Sequence, residues 1–199
     1  MHVAALAWSI LGISTATEHP SPTTTLVISL VDALIDRTYS VGRVLDLAAE
    51  RTADVPRPDL LVLGLSTRRA GQAARLEKAL ALLAPDTLPS LPVLLALLAP
   101  DTLPSLPVLL AVVKDGAGTS SDGFDIASML SARGAWVLPD RLHAQRHDFP
   151  LARLPAASLA RRIDTVADEL VRRCRVPERP APADAVHSLA PLTFLPIHC

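Results

Sequence analysis

Short aliphatic runs alternate with longer segments of helical spacing along most of this chain. Residues 3–11 (VAALAWSIL) predict a buried first strand ending at Gly12, and residues 13–23 follow as a polar loop rich in Thr and Pro. Residues 24–37 place Leu26, Leu30, Val31 and Leu34 on one face and predict a helix. Residues 41–47 predict a second strand, and residues 59–65 (DLLVLGL), set off by Pro56 and Pro58, a third. Helical spacing returns over residues 70–84 at Ala73, Leu76, Leu80 and Leu83, until Pro85 ends it. A fourth strand over residues 107–113 runs into KDGAG at residues 114–118. Residues 122–133 predict a helix with Gly134 as the residue just past its end, and residues 135–138 a short last strand. A loop over residues 140–149 then carries His143 and His147 towards a final helix at residues 156–173.

Strands and helices in strict alternation are the signature of βαβ units. The strand runs are continuously aliphatic, which fits parallel strands buried on both faces. Short connections leave few topologies open. The expected architecture is α/β: a doubly wound, flavodoxin-like parallel sheet of five strands, order 2-1-3-4-5, with helices on both faces. One domain spans residues 1–175, and the Pro-rich residues 176–199 form an irregular tail.

One segment is present twice. Residues 82–96 (LLAPDTLPSLPVLLA) recur unchanged as residues 97–111, too short a unit for a solenoid. Perfect identity indicates a recent tandem duplication. Only one copy can fill the fourth strand, and the second is better placed because its PVLLA runs directly into Val112 and Val113. The first copy becomes an insertion, in which residues 92–99 can form an extra apolar helix.

Composition narrows the function. Half of the 199 residues are hydrophobic but only 3% are aromatic, so the core is built from aliphatic side chains. Such apolar surplus predicts a homo-oligomer, dimer or tetramer. A formal net charge of −1 and scattered arginines give no footprint for nucleic acid. The apolar runs are broken by Pro before reaching a membrane span. Two cysteines outside any metal spacing indicate a reducing compartment, and the expected location is cytoplasmic. His143 and His147 have a spacing that serves a metal only on a helix, and their segment reads as loop, so no metal is expected.

Ligands of open parallel sheets bind beyond the carboxyl ends of the strands. There the loop after the first strand offers Ser14, Thr15, Thr17, Ser21, Thr23, Thr24 and Thr25 at the start of a helix. Hydroxyls and free helix N–H groups together can hold a phosphate, although the same residues also serve as ordinary caps. Neither a Walker A loop nor G-x-G-x-x-G is present.

Across residues 3–173 the chain resembles the NAD(P)H-dependent FMN reductases, which include the sulfonate-utilisation flavin reductases. GIST at residues 12–15 with PSPTTT at 20–25 is similar to the family's phosphate loop, and DLLVLGLST at 59–67 to the strand before its flavin-ring loop. The helix–Pro–strand run from Leu76, the turn at residues 115–118 and the Gly134–Ala135 pair fall in the family's order. The family's Pro-x-Tyr falls here on Thr67 and Arg69, and Glu18 is added to the phosphate loop. The resemblance implies FMN and NAD(P)H as cofactors. It implies binding roles for Ser14, Thr15, Ser21, Thr23 and Thr24 at the phosphate, and for Thr67, Arg68, Arg69, Gly71, Asp115 and Gly116 around the ring or the nucleotide phosphates. Arg68 and Arg69 are equally readable as solvated loop arginines. Two functions stand open: an NAD(P)H-dependent FMN reductase, or a non-catalytic partner subunit that has lost the ring site.

Overall fold

The computed structural model describes residues 8–18, 20–48, 58–66, 106–114, 122–139, 141–150 and 154–174. The readings of residues 3–7, 70–84 and 92–99, of the first duplicated copy and of the tail lie outside the described residues.

Among the described residues six strands form one parallel sheet: β1 (Trp8–Ser14), β2 (Ser40–Asp46), β3 (Leu60–Ser66), β4 (Pro107–Lys114), β5 (Trp136–Val137) and β6 (Leu142–Gln145). Their order is β2-β1-β3-β4-β5, and β6 also pairs with β4. The expected 2-1-3-4-5 order is therefore present, and it reverses direction between β1 and β3. Helices α1 (Pro22–Arg37), α2 (Asp122–Ser131) and α3 (Ala157–Cys174) complete the described elements, with a single 3-10 turn at Arg146–Asp148.

The sheet divides two apolar layers. Leu60 and Val62 of β3 pack with α1 and α3, while Leu61, Leu63 and Leu65 face the layer of α2. β3 and β4 are buried on both faces, which is why they read as unbroken aliphatic runs. On α3, Leu159, Ile163, Ala167 and Leu170 make the apolar stripe, and the polar face carries Glu169 paired with Arg172 and Arg173. Arg37 ties α1 to α3 through Asp164 at 2.8 Å and Asp168 at 2.5 Å.

Two departures from the sequence reading have clear causes. Strand one runs through Gly12 to Ser14 instead of ending at the glycine. Gly12 and Gly64 sit beneath α1: an added Cβ would come within 2.5 Å of Val27 Cγ1 at Gly12 and 2.3 Å of Val27 Cγ2 at Gly64. These glycines mark a close approach of helix to sheet within the strands. The second departure lies in residues 140–149, where β6 replaces the expected loop. Within β6 only Leu142 and Ala144 turn into the core, too weak a periodicity to announce a strand. Pro139, which has no amide donor, separates β5 from β6 and splits what would be one edge strand. Gly134 has φ of 82° after α2, as its helix-ending role requires.

The duplication resolves in favour of its second copy. Pro107–Ala111 of that copy lies in β4, in register with β3 from Leu61↔Val108 to Ser66↔Val113.

Candidate functional site

Strand register sets the site. Ser14 at the end of β1 lies level with Asp46 of β2 and Gly64 of β3. Just beyond, α1 begins: Ser21 is its N-cap, with extended backbone, and Pro22 occupies the first turn. The cleft above these ends is lined by Ala16, Thr17, Glu18, Thr23, Ser66, Val113, Arg146 and Phe149, among others, and has a volume of about 120 Å³. That space is smaller than the roughly 300–1,000 Å³ of pockets that enclose a whole drug-sized ligand, and it suits the end of a larger molecule.

The five described candidates do come together, but mostly with one another. Ser14, Thr15, Ser21, Thr23 and Thr24 are all buried. Thr24 Oγ1 donates to Asp46 Oδ2 at 3.0 Å, and lies 2.9 Å from both Ser14 Oγ and Ser21 Oγ. A hydroxyl has one proton. With that of Thr24 given to Asp46, Ser14 and Ser21 must both donate to Thr24. Ser21 Oγ in turn accepts from the Thr24 amide at 3.0 Å, and Thr15 donates to the Gly64 carbonyl at 2.9 Å. Every donor proton of these four hydroxyls is thus committed inside the protein. The network is anchored on Asp46, whose other oxygen accepts from the Ala48 amide at 2.9 Å.

What remains for a ligand is narrower than the sequence suggests. Thr17 and Thr23 line the cleft and have no hydrogen-bond partner among the described residues. At the helix start Pro22 has no amide proton and the Thr24 amide is used, which leaves the Thr23 amide. Among the described residues Arg146 is the cation lining the cleft, and Glu18 lines it too.

Arg146 and Phe149 were not among the sequence candidates. Phe149, almost fully buried, puts an aromatic side chain on the cleft wall. Arg146 opens the 3-10 turn after β6 and Phe149 follows it, and the turn is held by the Phe149 amide on the Arg146 carbonyl and the Ala156 amide on the Asp148 carbonyl. Missing the β6 strand hid them, because only that strand delivers the turn to the cleft. The candidates Thr67, Arg68, Arg69, Gly71, Asp115 and Gly116 lie outside the described residues. Among the described residues no group of three or more metal-ligating side chains occurs, and no helix is long and apolar enough to cross a membrane.

His143 lies on β6 opposite Val112. Its Nδ1 is buried without a hydrogen-bond partner. Burial holds its pKa below the ordinary value, and the charges of Lys114, Arg141 and Arg162 push the same way. The guanidinium of Arg162 donates to the His143 carbonyl.

No family model matches the sequence, and no curated protein matches it. Solved structures do. An NADH:FMN oxidoreductase in its apo form superposes with a TM-score of 0.61 at 15% identity, covering 87% of this chain and 92% of the other. A flavodoxin from the domain Archaea gives 0.57 at 10% identity, covering 84% and 99%. An azoreductase from Bacillus anthracis gives 0.54 at 13% identity, covering 81% and 99%. With the strand order already in place, these likenesses establish that the chain has the flavodoxin-like fold.

Proposed function

We propose that this chain is a flavoprotein oxidoreductase, and more specifically an NAD(P)H-dependent FMN reductase acting as a homo-oligomer. The observation that carries the reading is the open cleft at the β1/β3 reversal point, with Arg146, Phe149 and the start of α1 on its walls. That is where an open parallel sheet holds its ligand. The solved structures of similar fold named as an NADH:FMN oxidoreductase and an azoreductase support the same class.

The donor set fits a flavin phosphate in part. Arg146, the Thr23 amide and the Thr17 and Thr23 hydroxyls suit an anion; Ser14, Thr15, Ser21 and Thr24 give their protons elsewhere and act as the scaffold beneath. Thr67, Arg68, Arg69, Gly71, Asp115 and Gly116 belong to the ring side of this proposal through their place in the sequence. When bound, a flavin supplies the hydride chemistry between nicotinamide and acceptor, and the protein supplies position and electrostatics.

A specific observation favours a second reading. Glu18 on the cleft wall opposes a phosphate, and the committed hydroxyl network needs no ligand to be complete. Both suit a non-catalytic partner subunit. A visible spectrum separates the two. Addition of FMN followed by NADPH gives shifted flavin bands that bleach under the enzyme reading. Bands identical to those of free FMN, with no bleaching above the protein-free rate, support the partner subunit.

A further inference from the structure

β4 and β6 end level with each other, Lys114 opposite Gln145, and the 3-10 turn carries Arg146 and His147 directly beyond. Together these four residues line an open groove of about 400 Å³. Among the described residues its lining holds two permanent cations and an imidazole, and no carboxylate. Asp148, the acid of the turn, is mostly buried and accepts from the Gln145 amide at 2.8 Å, which caps the turn. Its second oxygen is 3.8 Å from His147 Nε2, and the His147 side chain is 76% exposed. Neither Lys114 nor Arg146 has a hydrogen-bonding or ion-pairing side-chain partner among the described residues. Cations brought to one groove from two strand ends form a positive concavity, which attracts multivalent anions more strongly than single charges.

We propose that this groove is a second anion site, which takes a phosphoryl group of the nucleotide reacting in the cleft. The assignment rests on the reductase reading for the identity of the nucleotide, but the site itself does not. Arg146 lines both the groove and the cleft, so one guanidinium joins the two. Its planar fork can accept a phosphate on either side, whereas Lys114 and His147 line the groove alone. A dianion fits this lining better than a carboxylate because two permanent cations and an imidazole meet it. It also fits the groove better than the hydroxyl loop, where the carboxylate of Asp46 already receives the network's proton.

The test uses the whole chain and inorganic pyrophosphate as the probe, titrated by calorimetry at low ionic strength and pH 6.5. Saturable binding is expected, weakened at least about tenfold in Lys114→Gln/His147→Gln and by added salt, and largely restored in Lys114→Arg. Competition by 2′-AMP but not 5′-AMP would place the 2′-phosphate of NADPH in the groove; equal competition would place the pyrophosphate common to NADH and NADPH there. FMN binding, read separately by fluorescence, is expected to survive Lys114→Gln/His147→Gln. Absence of saturable pyrophosphate binding, or equal affinity in the folded double variant, overturns the groove even if FMN binds. Pyrophosphate binding that the double variant loses, in a chain that ignores FMN, upholds the groove and removes the flavin reading instead.

Discussion

Two polar regions meet at the carboxyl edge of this sheet, and they are built in opposite ways. Around Ser14, Ser21, Thr24 and Asp46 every hydroxyl proton has a destination within the protein. Around Lys114, Arg146 and His147 the charges converge on open space. The first region is rich in the residues that a sequence search associates with phosphate, yet chemically it is nearly closed. The second shows in the sequence only as a loop lysine and a histidine weighed for a metal, and it is chemically open. Donor capacity is decided by where protons go, and a cluster of hydroxyls cannot reveal that.

The contrast can be broken in order of expected effect. Gly64→Ala drives a Cβ against Val27 beneath the hydroxyl loop and is expected to cost about 1–3 kcal/mol by overpacking, read as a lowered urea midpoint. Asp46→Ala leaves the buried Thr24 hydroxyl and the Ala48 amide without their acceptor and is expected to cost about 1–3 kcal/mol. The same variant frees the Thr24 hydroxyl proton, so pyrophosphate affinity at the first loop should rise as stability falls. A loss of both would show that the carboxylate serves the ligand. Thr24→Val removes the hub and is expected to cost about 1 kcal/mol in chemical denaturation.

A smaller effect concerns His143, on the strand that leads to the open region. The folded chain holds His143 neutral at pH values where the unfolded chain protonates it, because burial, then Lys114, Arg141 and Arg162, depress its pKa from 6.5. The stability tied to the neutral ring is complete above about pH 6.5 and is lost as pH falls towards the lower folded value. Urea midpoints at pH 7.5 and 5.5 should therefore differ less in His143→Gln than in the parent chain. Smallest of all, Lys114→Gln/His147→Gln should leave the midpoint at pH 7.5 unmoved, as expected of charges whose role is outside folding.

Much of the fold was legible because its signals are local and strong. β3 and β4 are buried on both faces, and α1 shows its apolar stripe at Leu26, Leu30, Val31 and Leu34. Even the choice between duplicated copies followed from which one runs on into Val112 and Val113. β6 was not legible, since two inward residues around a histidine do not make a pattern and its stability comes from the free edge of β4. Arg146 and Phe149 were lost with it. Asp46 escaped notice for a different reason: its role depends on strand register, which sets it beside Ser14 across thirty-two positions of sequence that no periodicity connects.

The central claim is that the cleft at the β1/β3 reversal holds the phosphate end of a flavin, with Arg146 and the start of α1 as its anion contacts. Titrating FMN with the purified chain and following flavin fluorescence tests it directly. The account expects saturable quenching that weakens about tenfold in Arg146→Gln and is unchanged in Lys114→Gln/His147→Gln. Fluorescence that stays at the free-flavin value throughout would contradict it.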